Sequence, residues 1–254
     1  MTELVHLDVA DGIATVTLDS PAKRNALSSQ LVGELAAHLR TAAGDDSVRA
    51  VVLTHTGRVF CSGADLADPA PGGPREGMRR MVAVLRTVLT MAKPVVARVD
   101  GAVRAGGLGL LGACDVVLAS ASSSFAFTEV RLGLAPAIIS LTTEGRMTPR
   151  AVSRYYLTGE TFDAAAARSA GLVSSALDDT EALDTELETV VRALRRCSPQ
   201  GLAETKAIAS RDTLAALEGG VEEMTALSAR LFDSEEAREG MLSFLEKRPA
   251  RWAL

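Results

Sequence analysis

Aromatic residues are scarce in this chain of 254 residues, 4% in all with a single tryptophan. Val, Leu, Ile and Ala must therefore fill the interior, and a hydrophobic content of 47% is enough for a sizeable core without covalent staples. Cysteine is nearly absent. Cys61, Cys114 and Cys197 are widely spaced and form no CxxC pair, which excludes a disulfide framework and fits free thiols in a reducing compartment, with the cytoplasm as the expectation. His6, His38 and His55 have no metal-ligand spacing with one another or with cysteine, so no metal site is expected. Basic runs are missing as well. The 27 Lys and Arg face 32 Asp and Glu for a net charge of −5, and no aromatic interleaving marks a nucleic-acid surface. No apolar run is long enough for a membrane span. The opening stretch MTELVHLDVADG shows no signal pattern.

The length suits one large domain, or one with an appendage. Alternating Val5, Leu7 and Val9, then Asp11-Gly12, then Ile13 to Leu18 predict a hairpin. Leu31, Leu35 and Leu39 predict a helix from about Ser28. Buried strands are expected at 50–54, 95–99 and 116–119, with helices at 76–91 and 105–113 between them. Residues 57–75 read as irregular, with PAPGGP at 69–74 as a flexible loop. A brief strand is expected at Leu172-Val173. From about Thr180 the chain reads as helical, broken at Ser198-Pro199 and at Gly219-Gly220. The early alternation of strand and helix implies α/β layering, and the end implies a helical appendage.

The segment Gly106-Gly107-Leu108-Gly109-Leu110-Leu111-Gly112 contains G-x-G-x-x-G. A dinucleotide fingerprint needs its first glycine at the strand end, and here residues 100–104 intervene, so a nicotinamide or flavin site is disfavoured. Adjacent glycines at a helix start instead leave backbone N–H groups open to a ligand oxygen, with the helix dipole favouring negative charge there. That is half of an oxyanion hole. Cys61-Ser62-Gly63-Ala64-Asp65-Leu66, a second turn of small residues after a strand, supplies a candidate for the other half.

Several segments in order resemble the crotonase, or enoyl-CoA hydratase/isomerase, superfamily. Lys23-Arg24-Asn25-Ala26-Leu27 is similar to its coenzyme A loop. Residues 59–66 resemble its first oxyanion loop, and Lys93 to Gly107 its second. Phe244 to Arg248 resembles its C-terminal helix. The resemblance spans nearly the whole chain. It implies an α/β crotonase-like spiral of ββα units over residues 1–195 and a C-terminal helical trimerisation segment over 196–254. A homotrimer or dimer of trimers is implied by resemblance only.

Carried over, the backbone N–H groups of Ala64 and Gly106 would hold an acyl-CoA thioester oxygen, and Glu129 falls on one of two catalytic glutamates of family hydratases. Read alone, Glu129 is an ordinary carboxylate at a helix start; the resemblance reverses that weighting. The family's other glutamate has Gly109 in its place here, and a position used by some members for aspartate is Ala137. Three readings follow: a single-glutamate hydratase, a Δ3-Δ2-enoyl-CoA isomerase, or a non-catalytic acyl-CoA binder. Residues 128–140 and 154–164 resemble bacterial hydratases of methylglutaconyl-CoA type, which favours the first.

The ligand would be an acyl-CoA, with coenzyme A part of the substrate and no resident cofactor. Lys23 and Arg24 would meet its phosphates, with Ala26, Ser62, Gly63, Asp65, Leu66, Gly107 and Gly109 along its path. Phe244 and Lys247 would reach the adenosine end. The acyl tail would run by residues 67–80. Arg104, a cation just before the second oxyanion turn, would either pair with a carboxylate or touch an acidic substrate.

Overall fold

The computed structural model describes residues 2–68 and 73–254. The chain opens as an antiparallel hairpin of β1 (Val5–Ala10) and β2 (Ile13–Leu18). Asp11 and Gly12 join them at φ 48° and 78°, the two-residue turn whose twist matches the strands. Helix α1 (Ser29–Gly44) begins where the Ser28 side chain accepts the Leu31 N–H at 3.2 Å, and it buries Leu31, Leu35 and Leu39 on one face.

One step then repeats. β3 (Ala50–His55) lies in a first sheet and β4 (Val59–Cys61) in a second, and α2 (Gly73–Thr90) follows. β5 (Val95–Val99) and β6 (Ala102–Arg104) repeat the step before α3 (Gly106–Ala113). β7 (Val116–Ser120) and β8 (Ser124–Ala126) repeat it before the 3-10 turn Thr128–Leu132 and α4 (Ala137–Thr143). Helices α5 (Pro149–Thr158) and α6 (Ala164–Ala170) flank β9 (Phe162–Asp163), and β10 (Ser175–Leu177) follows. The first sheet has the order β1-β2-β3-β5-β7-β10 and the second β4-β6-β8-β9. This is the spiral of ββα units expected from the sequence.

The second sheet had no sequence signal, because β6, β8 and β9 hold only two or three residues each, too few for an alternating pattern. The strand expected at Leu172-Val173 lies instead at Ser175–Leu177; Leu172 and Val173 are core residues leading into it. Of the loop expected at 69–74, residues 69–72 lie outside the described residues, and α2 already begins at Gly73.

Helix α7 (Thr180–Arg195) seals the outer face of the first sheet, with Leu183 against Val96 and Leu118, and Val191 against Ile13, Ala50 and Val52. Helix α8 (Pro199–Phe232) starts at Ser198 as expected but runs unbroken through Gly219-Gly220. A Cβ on Gly220 would lie 2.5 Å from Leu141 Cδ2, so this glycine serves close packing of α8 on α4 rather than a break. Lys206 of α8 is buried. Its ammonium donates to Val88 O (2.7 Å) and Lys93 O (2.9 Å) and pairs with Asp115 Oδ2 (2.9 Å), which also accepts the Val95 N–H. Helix α9 (Glu235–Leu245) returns to pack on the 3-10 turn that carries Glu129. Among the described residues, no helix is long and apolar enough to cross a membrane.

Candidate active site

Two turns of small residues meet where β4 and β6 end. Gly63 adopts φ 93°, and a Cβ there would stand 2.9 Å from Ala105 Cβ and 3.9 Å from Gly106 N. The turns containing Ala64 and Gly106 are therefore in contact. Among the described residues, neither the Ala64 nor the Gly106 N–H has a protein acceptor. Gly106 is the first residue of α3, where helix geometry leaves its N–H unused. Ala105 holds φ 47° and ψ −119°, a conformation costly for a residue with a side chain. Its own N–H is fixed to Ala126 O at 3.2 Å, which stitches this turn to the strand leading to Glu129.

The first turn is strapped to the loop before α1. Ser62 N–H donates to Arg24 O (3.1 Å), and Leu27 N–H donates to Gly63 O (2.8 Å). Buried Asn25 pins that loop. Its Oδ1 accepts the Ser20 N–H at 2.7 Å, and its Nδ2 donates to Thr56 O and Val59 O at 3.1 and 2.7 Å. Arg24 and Asn25 both sit in the left-handed region, which asparagine tolerates better than most residues. Lys23, largely exposed, lies 3.3 Å from Asp65, whose other oxygen accepts the Ala67 N–H. Ala26 and Leu66 are half-buried beside them. Leu27 covers Gly106: a Cβ there would come within 2.7 Å of its Cδ1. Gly107 abuts Cys61 and Val103, so its lack of a side chain serves packing rather than a ligand. Burial pushes the Cys61 thiol up to about 12, which makes it inert.

Glu129 stands on the 3-10 turn after β8. Its Oε2 is fully buried and has no hydrogen-bond partner among the described residues. Loss of water pushes its carboxyl up to about 7, opposed only by a bond to its own backbone. Behind this turn gather the scarce aromatics. Tyr155 stacks on Phe162 at 3.9 Å, and Phe127 lies 4.5 Å from Tyr156, whose hydroxyl pairs with Thr143 Oγ1 at 2.6 Å. Gly109 carries no carboxylate, and the space beside it is taken. A Cβ there would meet Ile139 Cγ2 at 2.7 Å, and Ala137 is also buried.

Phe244 and Lys247 are exposed at the end of α9, and among the described residues no hydrogen bond or ion pair joins them to Lys23 or Arg24. Arg104 has no carboxylate partner among the described residues; its guanidinium donates to Val103 O, Ser124 O and Ser124 Oγ at 2.6 to 3.0 Å and binds β6 to β8. Asn25 and Leu27 were read only as part of the coenzyme A loop, and neither the pinning by Asn25 nor the contacts of Leu27 and Ile139 with glycines were foreseen.

A two-sheet spiral with open backbone N–H groups at two adjoining small-residue turns and a buried carboxylate on the turn after β8 defines a crotonase-type protein. The enoyl-CoA hydratase/isomerase family model matches residues 8–253, and the chain belongs to that family. It is 31% identical to the 2,3-dehydroadipyl-CoA hydratase of Escherichia coli, over 98% of this chain and 97% of that one. It is 29% identical to the carnitinyl-CoA dehydratase of Proteus mirabilis, over 99% of each. The crystal structure of an enoyl-CoA hydratase from Mycobacterium avium superposes with a TM-score of 0.92 at 47% identity, covering 100% of both chains.

Proposed function

We propose that the protein is an enoyl-CoA hydratase that works with one carboxylate, Glu129. The observation that carries this reading is the buried, unpartnered Glu129 Oε2 on the 3-10 turn that follows β8, the strand whose Ala126 O accepts the Ala105 N–H. The Ala64 and Gly106 N–H groups both donate to the thioester oxygen, which sits between them. As an enolate forms, negative charge grows on that oxygen, and each donor contributes about 3 kcal/mol at that moment. Ionised Glu129 takes a proton from water as the water oxygen bonds to C3 and the 2,3 double bond becomes the enolate. The same carboxyl then returns that proton to C2. Its pKa of about 7 suits both halves, since a group poised near working pH gives and takes a proton with least penalty. Lys23 and Arg24 meet the phosphates of coenzyme A, with Phe244 and Lys247 at the adenosine end. Assembly as a trimer or dimer of trimers and a cytoplasmic location belong to the same proposal.

One observation favours a second reading. With Ile139 filling the space beside Gly109, no second carboxylate holds a water, and a single glutamate suffices to carry a proton between C2 and C4 of a 3-enoyl-CoA. A panel of crotonyl-CoA, 3-methylglutaconyl-CoA and a 3-enoyl-CoA, assayed on wild type and Glu129→Gln, separates them. Loss of enoyl absorbance supports hydration; gain of it from the 3-enoyl substrate supports isomerisation. Tight binding without turnover of any member supports an acyl-CoA binder, and activity retained in Glu129→Gln overturns the mechanism.

A further inference from the structure

The turn that carries Glu129 is held by backbone packed on backbone. A Cβ on Gly240 of α9 would lie 2.4 Å from Leu132 O, 2.5 Å from Leu132 C and 2.6 Å from Leu132 Cα. From the other side of the same contact, a Cβ on Gly133 would lie 2.6 Å from Glu236 C and 2.8 Å from Ala237 N. Ala237, Gly240 and Ser243 of α9 are all buried there. Helix α9 thus touches Leu132 and Gly133 with no side chain between.

Leu132 and Gly133 are mechanically tied to Glu129. The Gly133 N–H closes the turn on Glu129 O, and the Leu134 N–H donates to the same oxygen at 3.0 Å. A shift of α9 moves these two amides, and they move the Glu129 peptide. The opposite side of the turn is also packed, though less tightly, since a Cβ on Gly159 would meet Val130 Cγ1 at 3.0 Å and Phe127 O at 3.1 Å. A turn gripped on both sides has nowhere to relax, because packed interiors transmit strain rather than absorb it.

The end of α9 is itself latched. Buried Glu239 takes a two-pronged contact from Arg248, at 2.7 and 3.0 Å, and accepts the Arg251 N–H at 2.9 Å, folding the tail back along the helix. Paired forks of this kind are the strong ion pairs, and the Glu239 carboxyl is drawn down to about 2 by Arg248.

We propose that α9, seated through Gly240 and latched through Glu239 and Arg248, is the positioning element for Glu129, so that the C-terminal segment sets the rate of the proton transfer. Gly240 and Arg248 are positioning residues; neither touches the substrate. The proposal rests on the reading of Glu129 as the acid and base.

Gly240→Ala tests it. Alanine is a better helix former than glycine, so α9 itself is not weakened, and any loss comes from the contact with Leu132. A displacement of about 1 Å at a catalytic group costs on the order of 100-fold. The expected result is a fall of that size in kcat with KM nearly unchanged. The midpoint of the pH profile moves below its wild-type position, because a displaced carboxyl regains water; Tyr156, which is electrostatically coupled to Glu129 and Glu144, is pushed up to about 12 by burial and stays protonated throughout. Wild-type kcat and midpoint in folded Gly240→Ala overturn the proposal. Should that variant not fold, Arg248→Ala decides. A lowered kcat and midpoint with KM nearly unchanged support the proposal, and unchanged values overturn it. Glu129→Gln is measured alongside. If it keeps wild-type kcat, the reading of Glu129 falls and the proposal with it. If it is inactive while the α9 variants are normal, only the positioning proposal falls.

Discussion

Ile139 presses its Cγ2 against the bare backbone of Gly109, at 2.7 Å from where a Cβ would stand. Any side chain at Gly109 would run into Ile139 first. Gly109→Glu is expected to damage the protein rather than restore a dyad. Overpacking of this kind costs about 1–3 kcal/mol, and a buried carboxylate adds to it. Thermal unfolding should show a melting temperature lower by about 5 °C or more. Adding Ile139→Ala should recover most of that loss, and equal melting temperatures for the single and double variants would refute the contact.

Glu129→Gln should lower kcat by about 100-fold to 10,000-fold with KM little changed, as for removal of a positioned acid and base. In wild type the hydration rate should climb as pH rises through about 7, where the carboxyl becomes the ionised base. Stability runs the other way. The folded-state pKa is raised, so below the unfolded value near 4.5 nothing is lost, and from there to about 7 the unfolded chain ionises first and stability falls. At pH 8 Glu129→Gln should therefore melt higher than wild type, a gain that vanishes near pH 4. Activity profiles and melting curves over the same buffers check both.

His55 is expected to give the opposite slope on the acid side. Its Nε2 accepts the Asp100 N–H at 3.1 Å while Nδ1 faces Thr56 O at 3.3 Å, an arrangement that needs the neutral ring. Burial lowers its pKa from 6.5. Stability from this group is full above 6.5 and is lost as pH falls from there toward the folded-state value, because the unfolded chain takes the proton first. His55→Asn should flatten that part of the curve of melting temperature against pH.

Lys23→Ala should raise KM several-fold for a coenzyme A thioester and leave kcat unchanged. On the proposed reading the exposed ammonium acts on the phosphates and not on the reacting carbons, so added salt should narrow the difference. A pantetheine thioester, lacking the phosphates of the nucleotide end, should show no difference between the two proteins. A kcat effect on both substrates would place Lys23 elsewhere in the mechanism.

The hairpin turn at Asp11-Gly12, the start of α1 near Ser28 and the longer buried strands were legible because each has a local signature: a turn dipeptide, leucines at helical spacing, an apolar run. The second sheet was not, because strands as short as Phe162–Asp163 exist only through their partners. Gly219-Gly220 misled for a similar reason. Local preference says break, whereas packing on Leu141 requires a bare backbone inside a continuous helix. Gly63, Ala64 and Gly106 were legible as small-residue turns after strands. Ile139 was not, since nothing in an apolar residue of α4 says that it faces Gly109. Arg104 was conspicuous in the sequence but binds carbonyls and a serine of the neighbouring strand.

Lys206 bears on how the chain reaches this structure. Its ammonium fills a socket made of Val88 O, Lys93 O and Asp115, at the junction where α2 turns into β5. Until α8 docks, that junction has two carbonyls and a carboxylate without their cation; if α8 lifts away, the same vacancy reopens in the middle of the first sheet's connections. The terminal helices and the spiral should therefore lose their amide protection together in hydrogen exchange, as a single cooperative unit. During synthesis the lysine that fills this socket is made more than a hundred residues after the carbonyl of Val88 that it binds.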